Sequence, residues 1–183
     1  MGLSTIILAA GQGTRMRSGL PKVLQPLAGR PLLAHVVECA AALAADDVCV
    51  VYGHGAEAVR KAFPGDSLRW ALQAEQLGTG HAVQQAMPET PDKNRVLILF
   101  GDVPLLTPTT CQRLLDETPA GDMAVLTVDM EDPTGYGRII RERGNVSCII
   151  EEKDAGPEEK SVREINTGVL VCPAAKLKGW LDN

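Results

Sequence analysis

Long apolar segments are absent from this 183-residue chain. No apolar run approaches the roughly 18 residues that a membrane-spanning helix needs. The first residues also lack the basic segment and the long apolar stretch of a secretory signal peptide. We therefore expect a cytoplasmic protein with no membrane insertion.

The cysteines and histidines form no recognisable disulfide or metal-ligand pattern. The five cysteines have no C-x-x-C spacing, and the three histidines are far apart in the sequence. We expect buried, reduced thiols. Aromatic residues make up only 3% of the chain, so aliphatic side chains must fill its core.

Acidic residues are missing from the first 37 positions, which carry Arg15, Arg17, Lys22 and Arg30. The chain as a whole has a formal net charge of −5, which argues against a general nucleic-acid-binding surface. A basic start on an acidic protein predicts one site for a small anionic molecule.

Short apolar runs alternate with amphipathic helical patterns along most of the chain. The predicted strands are Thr5–Ala9, Val48–Tyr52, Arg69–Leu72, Val96–Phe100 and Met123–Val128. The predicted helices are one with Pro31 at its first position, Ala56–Phe63, Gly78–Ala86 and Pro108–Glu117. This alternation predicts an α/β fold with a mixed, mainly parallel sheet, helices on both faces and a ligand crevice at the carboxyl ends of the strands.

The pattern changes after Asp129, where strands are joined by polar loops. Gly137–Arg141, Val146–Glu151 and Thr167–Val171 predict a small β-rich layer, and a further helix follows Pro173. Neither these segments nor the rest of the chain contain internal repeats.

The first predicted strand runs into the glycine-rich turn Gly11-Gln12-Gly13-Thr14-Arg15. Such a turn brings backbone N–H groups close to a ligand, and Arg15 and Lys22 are suited to a polyphosphate. The turn lacks the third glycine of G-x-G-x-x-G and the G-K-[ST] of the P-loop. Taken alone, such a turn could have only a structural role in the backbone. The two cations and the absence of acidic residues nearby favour phosphate binding.

Two further segments carry groups suited to a nucleotide. Asp102 follows a strongly apolar predicted strand and could bind Mg²⁺ together with phosphate oxygens, or could simply form a turn. The segment Gln73–His81 offers amides that can read a nucleobase edge. Its alternative role is a helix cap at Thr79 with solvated glutamines, and for His81 a structural role is favoured over a catalytic one.

Carboxylates, amides and glycines recur in the β-rich part of the sequence. The turn Asp132–Arg138, Glu151 and the segment Glu164–Gly168 could bind sugar hydroxyls, or could be solvent-facing loops.

Taken together, these segments resemble the nucleotidyltransferase domain of the bacterial family of bifunctional N-acetylglucosamine-1-phosphate uridylyltransferases/glucosamine-1-phosphate N-acetyltransferases. The runs that carry the resemblance are Leu8–Met16, Leu20–Val23, Tyr52–Gly55, Gln73–Ala82, Gly101–Leu105, Asp132–Ile139 and Glu164–Gly168. The resemblance implies a Rossmann-like domain that transfers UMP from UTP to N-acetylglucosamine 1-phosphate, releases pyrophosphate and supplies UDP-N-acetylglucosamine for cell-wall synthesis.

The resemblance also implies a role for each matching residue. The residues implied to bind the nucleotide are Leu8, Ala9, Ala10, Gly11, Gly13, Thr14, Gln73, Gln76, Gly78, Thr79, Phe100 and Gly101. Those implied to bind the amino sugar are Gly137, Glu151, Asn166 and Thr167. Arg15, Lys22 and Asp102 are implied to be catalytic, with Asp102 holding Mg²⁺ as the cofactor.

The chain departs from the family's pattern in two respects. Phe100 stands where the family often has tyrosine, and the sequence stops before the asparagine that completes the family's Mg²⁺ site. We therefore expect one sugar-nucleotidyltransferase domain over residues 1–183, incomplete at its C-terminus and without the acetyltransferase β-helix that makes the family's trimer. Such a chain would be monomeric and would bind UTP with little turnover.

The expected chemistry is direct in-line attack of the sugar phosphate on the α-phosphorus of UTP, assisted by positioning and charge neutralisation. Two alternatives remain open. One is transfer to another sugar phosphate or from another nucleotide, and the other is a non-catalytic nucleotide-binding domain.

Overall fold

A computed structural model describes residues 2–11, 13, 18–53, 55–65 and 67–182 of the chain. These residues fall into two compact units. The first unit is Met1–Ala124 with Leu170–Asn183, and the second is Val125–Val169.

The first unit contains an alternating series of strands and helices. Its strands are β1 (Leu3–Ala9), β2 (Pro26–Leu27), β3 (Arg30–Pro31), β4 (Asp47–Tyr52), β5 (Arg69–Leu72) and β6 (Arg95–Phe100). Its helices are α1 (Leu32–Ala42), α2 (Ala56–Ala62), α3 (Thr79–Ala86) and α4 (Pro108–Glu117), with 3-10 turns at Lys22–Leu24 and Met87–Glu89.

The second unit is built mostly of strands. It contains most of β7 (Ala124–Asp129), then β8 (Arg138–Glu142), β9 (Asn145–Ile150) and the short helix α5 (Pro157–Lys160). Strand β10 (Glu164–Pro173) begins in the second unit and ends in the first, where helix α6 (Ala174–Leu181) follows it.

The sheet of the first unit has parallel strands in the order β5-β4-β1-β6, and the last residues of β10 add an antiparallel strand beside β6. In this register Ala9 lies opposite Tyr52, and Leu8 lies opposite Phe100. The carboxyl ends of the parallel strands therefore lie level, and the loops that follow them leave from one edge of the sheet.

Side chains of the central strand alternate between two buried faces. Ile6 and Leu8 pack in a core cluster with residues of α3 and α6. Ile7 lies on the opposite face and is also fully buried, and α1, which contacts β1, β4 and α4, covers that side. Both faces of β1 are thus buried, as expected for a central strand covered by helices on both sides.

Arg69 ties helix α3 to the outer strands of this sheet. Its guanidinium forms a bidentate ion pair with Asp47 at 2.6 Å and donates to the backbone oxygen of Ala86 at 3.1 Å. Because Ala86 is the last residue of α3, this contact fixes one end of the helix against β4 and β5.

The second unit is an antiparallel arrangement in which β8 pairs with β9 and with the start of β10. Arg141 donates two hydrogen bonds of 2.7 Å to the carboxylate of Glu164. These hydrogen bonds, supported by one from Thr127, hold the pKa of Glu164 at about 2. The carboxylate is therefore ionised at neutral pH and links β8 to β10.

The predicted mixed, mainly parallel sheet with helices on both faces and an added β-rich layer is confirmed. Some details were wrong: Pro31 caps α1 instead of starting it, and β10 begins at Glu164 instead of Thr167. The β2–β3 hairpin was not predicted, because two-residue strands leave no periodicity to detect.

The expectation of buried thiols holds for four of the cysteines. Cys39, Cys49, Cys111 and Cys172 are buried and unbridged, whereas Cys148 is exposed on β9. The prediction was wrong for Cys148 because the whole of β9 up to Ile149 is exposed. Among the described residues, no helix is both long and apolar enough to cross a membrane.

Leu97 tests the central packing of the sheet. Its side chain is fully buried in β6, between β1 and the end of β10. Leu97→Ala should lower the free energy of unfolding by about 3 kcal/mol, because it removes buried methyl groups and leaves a cavity. In the matched control, Leu105→Ala, the side chain is 81% exposed. That variant should stay within about 0.5 kcal/mol of the wild type in urea unfolding; equal losses in the two variants would contradict this packing.

Candidate active site

A pocket of about 210 Å³ lies at the carboxyl edge of the parallel strands in the first unit. Its lining comes from the ends of β1 and β6, from the segment after β5, and from the 3-10 turn at Lys22. The lining residues are Leu8, Ala9, Ala10, Gly11, Lys22, Val23, Gln73, Gln76, Gly78, Thr79, Ala82, Phe100 and Asp102.

Close backbone approach shapes one wall of this pocket. The N–H of Gly101 donates to the backbone oxygen of Leu8 at 2.9 Å. A Cβ atom placed on Gly101 would lie 3.3 Å from the Cβ of Ala9 and 3.2 Å from the side chain of Leu33. A residue with a side chain would crowd the point where β1 and β6 end, so glycine there lets the two loops leave side by side.

Two glutamine amides (the amide wall) form another part of the lining. Gln76 donates from Nε2 to the backbone oxygen of Ala10 at 2.7 Å, which ties the segment after β5 to the end of β1. Gln73 is 4% exposed, and its Nε2 donates to the backbone oxygen of Gly78 at 3.0 Å. Both amides are therefore held by backbone oxygens, and the amide oxygen of each side chain is a group left to face a ligand.

A cation and a carboxylate lie together in the pocket wall. Lys22 Nζ lies 2.5 Å from Asp102 Oδ2, with side chains 40% and 27% exposed. At that exposure the pair contributes little to stability. Because both groups line the pocket, they can instead exchange partners with a charged ligand, the amine toward an anion and the carboxylate toward a cation.

The carboxylate of the pocket suits a metal ion that takes few protein ligands. Within the described part of the chain, no group of three or more His, Cys, Asp or Glu side chains is placed to hold a metal. Mg²⁺ usually needs only one or two carboxylates, with substrate phosphates and water filling the other positions. Asp102 alone fits that mode of binding, whereas a zinc-type site of protein ligands does not fit.

The buried thiols are poorly suited to act as nucleophiles. Burial raises the pKa of Cys49 and of Cys172 to about 11. Both thiols are therefore protonated at neutral pH, and the thiolate is the reactive form. Neither residue lines the pocket.

The structure brings most of the predicted nucleotide-binding residues to this one pocket. Gly13 and Gly101 do not line it, although Gly101 shapes the wall as described above. The predicted residues Thr14 and Arg15 lie outside the described residues. The binding roles of all these residues stay predictions.

Three of the predicted sugar-binding residues lie together in the second unit. The N–H of Asn166 donates to the backbone oxygen of Gly137 at 2.8 Å. A Cβ atom on Gly137 would lie 3.2 Å from Oε1 of Glu151. The hydroxyl of the fourth residue, Thr167, donates to the backbone oxygen of Leu126 at 2.6 Å and is engaged inside the protein.

Arg138 links the turn that precedes it to the end of β9 through Glu152. It is 2% exposed and pairs with Glu152 at 2.7 Å, while Glu152 also accepts from the N–H of Gly135 at 3.3 Å. The hydrogen bond from Arg138 lowers the pKa of Glu152. The turn that carries Gly137 is thereby fixed to the end of β9.

Sequence reasoning missed Val23 and Ala82 in the pocket and a contact of His81. Ala82 lies three residues after Thr79 on α3, so helical spacing could have placed it on the same face. His81 Nδ1 lies 3.1 Å from Gln73 Nε2. The signal for that contact was weak, because a strand end and a loop separate the two residues.

Comparison with known protein families identifies the class of protein to which this pocket belongs. The sequence model of the MobA-like NTP transferase domain matches residues 5–150, which include all the residues that line the pocket. The chain belongs to the MobA-like NTP transferase family. The pocket of this NTP transferase domain therefore belongs to a protein of the nucleotidyltransferase class.

Two curated relatives of this NTP transferase domain carry the same name. Proteins named "Bifunctional protein GlmU" are 52% identical over 181 residues in Herminiimonas arsenicoxydans and 57% identical over 184 residues in Azoarcus sp. (strain BH72). Each alignment covers 99% of this chain and 40% of the relative. The resemblance found in the sequence is thus confirmed, and the chain spans about two fifths of the length of these relatives.

Solved structures share the fold of this NTP transferase domain. A proposed glucose-1-phosphate thymidylyltransferase from Bacillus anthracis superposes with a TM-score of 0.82 over 97% of this chain and 74% of its own, at 19% identity. Rv0371c from Mycobacterium tuberculosis, solved in complex with manganese, gives 0.57 over 68% of this chain and 63% of its own, at 24% identity. These likenesses establish the fold, and the second fold relative was solved with a divalent metal ion.

A substitution at Gly13 tests how closely its backbone packs against Lys22. Its φ is +58°, and a Cβ atom there would lie 2.7 Å from the Cβ of Lys22. Gly13→Ala should lower the free energy of unfolding by about 1–2 kcal/mol, because of left-handed strain and this contact.

Gly19 provides the matched control for this substitution. A Cβ atom on Gly19 would meet nothing within 4 Å, and its φ is not positive. Gly19→Ala should therefore leave chemical unfolding unchanged or slightly stabilised. Equal stability of the two variants would show that a Cβ atom on residue 13 does not clash with the Cβ of Lys22.

Proposed function

We propose that this chain binds UTP and transfers its uridylyl group to N-acetylglucosamine 1-phosphate, giving UDP-N-acetylglucosamine and pyrophosphate. Family membership and the GlmU relatives support the broader class, sugar-phosphate nucleotidyl transfer. One observation carries the finer proposal: a single pocket is lined both by the amide wall of Gln73 and Gln76 and by the Lys22–Asp102 pair (the charged wall).

The amide wall is proposed to hold the base. Gln73 is buried, and Gly78, which accepts its hydrogen bond, has a φ of +109° that a residue with a side chain would rarely adopt. The backbone can therefore come close to a planar ring. The fixed amide of Gln73, next to a backbone segment that a base can approach closely, can discriminate between nucleobase edges by hydrogen bonding.

The charged wall is proposed to hold the phosphates. Lys22 is held by a partly exposed carboxylate that an incoming phosphate can displace. Arg15, which the sequence places in the same basic segment, is proposed to stabilise the pyrophosphate leaving group. Neutralising the triphosphate lets a second anionic substrate approach it.

Mg²⁺ is proposed as the cofactor, with Asp102 as its protein ligand. When bound, Mg²⁺ would neutralise phosphate charge and polarise phosphoryl oxygens. The finding that supports this is the carboxylate of Asp102, the one acidic side chain among the described residues that line the pocket, which suits an ion bound largely through substrate oxygens and water.

The acceptor sugar is assigned to the second unit. Glu151 offers a carboxylate, Asn166 offers the N–H groups of a side-chain amide whose oxygen accepts from the N–H of Gly168, and Gly137 adds no side chain beside them. Such groups suit sugar hydroxyls and an N-acetyl group. Since the proposed substrates are phosphorylated metabolites, we place the reaction in the cytoplasm.

The proposed reaction needs no protein nucleophile. An oxygen of the sugar phosphate attacks the α-phosphorus of UTP and forms the new P–O bond. The bond from that phosphorus to the bridging oxygen of the β-phosphate breaks, and pyrophosphate leaves with the electron pair. The residues of the pocket position the reactants and neutralise charge.

Nucleotide selectivity tests the proposed function most simply. UTP should bind more tightly than CTP or GTP in calorimetric titrations with Mg²⁺, because the amide wall is matched to the uracil edge. Tighter binding of another nucleotide would refute the assignment to UTP. No measurable binding of any nucleoside triphosphate would refute the function as a whole.

Asp102 tests the assignment of the metal. In Asp102→Asn, the increase in UTP affinity that Mg²⁺ produces should fall by about tenfold, because the metal loses its charged protein ligand. UTP affinity measured without metal should not fall, since Lys22 is released from its carboxylate partner.

The matched control is Asp116→Asn, an exposed aspartate on α4 that accepts a hydrogen bond from Gln112. It should behave as the wild type in the same titrations. An unchanged effect of Mg²⁺ in Asp102→Asn would remove Asp102 from the metal site.

A further inference from the structure

The amide nitrogen of Gln73 uses both of its hydrogens inside the protein. Nε2 lies 3.0 Å from the backbone oxygen of Gly78 and 3.1 Å from Nδ1 of His81. The Gln73 side chain is 4% exposed and lines the pocket, whereas His81 does not line it. Of these two side chains, Gln73 faces the pocket, and His81 contacts Gln73 from behind that lining.

The hydrogen-bond partners determine which atom of the amide faces which group. A backbone oxygen can only accept, so the nitrogen of the amide must face Gly78. The same nitrogen can only donate, so Nδ1 of His81 must accept. In this arrangement Nδ1 carries no proton, and the proton of the ring is on Nε2.

This arrangement leaves Gln73 with one kind of group for a ligand. With both N–H groups engaged, only the amide oxygen remains, and it can only accept a hydrogen bond. No protein donor to this oxygen is found in the part of the chain that the structure describes. A ligand atom that faces it must carry a hydrogen.

We propose that His81 is a positioning residue for base selectivity, because it takes up the second N–H of Gln73 and makes that side chain an acceptor only. This inference rests on the proposed function of the pocket. Uracil carries a hydrogen at N3 and satisfies an acceptor, whereas the N3 of cytosine carries a lone pair and repels one. Without the imidazole, a buried N–H would be free to pair with cytosine.

A purely structural role for His81 makes a different prediction. His81 lies in the first turn of α3, and its backbone oxygen accepts from Nε2 of Gln85 at 3.1 Å. That contact does not involve the ring. If the ring only filled space, its loss would weaken the binding of every nucleotide to a similar degree, and the ratio of affinities would not change.

The experiment compares the dissociation constants of UTP and CTP for the wild type, His81→Leu and His81→Asn, by calorimetry in one Mg²⁺ buffer. Leucine removes the acceptor, so the preference for UTP over CTP should fall by about tenfold. Asparagine can place its amide oxygen near the position of Nδ1, so His81→Asn should keep the wild-type preference to within about twofold.

The outcomes separate this inference from the function on which it rests. A wild-type preference that persists in His81→Leu, or that falls equally in both variants, would overturn the role of His81 alone. A wild type that does not prefer UTP to CTP would overturn the proposed function and this inference with it.

A second measurement needs no variant and so does not depend on folding of a mutant. Long-range proton–nitrogen NMR spectra of the ligand-free wild type report the tautomer of each of its three histidines. His81 should carry its proton on Nε2, with an unprotonated Nδ1. A proton on Nδ1 would overturn the inference, because that nitrogen could not accept from Gln73.

Discussion

The parallel register of three neighbouring strands determines where the candidate active site can form. The pairing that places Ala9 opposite Tyr52 and Leu8 opposite Phe100 makes β1, β4 and β6 end at one level. Every loop that leaves this edge starts beside its neighbours. Gly11, the Gln73 segment and Asp102 are far apart in sequence, and they meet because the strands before them end together.

The loops can leave this edge of the sheet side by side only because their backbones pass close to one another. A Cβ atom on Gly53 would lie 3.1 Å from both the Cβ of Ala10 and the backbone oxygen of Gln73, and Gly101 is similarly confined beside β1. Hydrogen bonds then fix the loops, with Gln76 reaching the oxygen of Ala10. The result is a pocket lined by fixed amides and by exchangeable charges, and these are groups that suit the base and the phosphates of a nucleoside triphosphate.

The sequence predicted the elements of this fold well because its strands and helices carry strong periodicities. Arg69–Leu72 and Pro108–Glu117 have the predicted bounds. Most residues expected to bind nucleotide also line one pocket, since strand ends, glycines and polar segments are visible in the sequence. Contacts between side chains were less predictable. The ion pair of Lys22 with Asp102 and the hydrogen bond of His81 to Gln73 depend on tertiary geometry, and neither leaves a pattern in the sequence.

The central claim is that one pocket holds the whole nucleotide, with its base at the amide wall and its phosphates at the charged wall. A crystal structure of the protein with UTP and Mg²⁺ tests this most directly. The account predicts the uracil edge within hydrogen-bond distance, about 3 Å, of the amide oxygen of Gln73, and a phosphate oxygen equally close to Nζ of Lys22. UTP bound elsewhere, or bound in this pocket with its base beside Lys22 and Asp102, would contradict it.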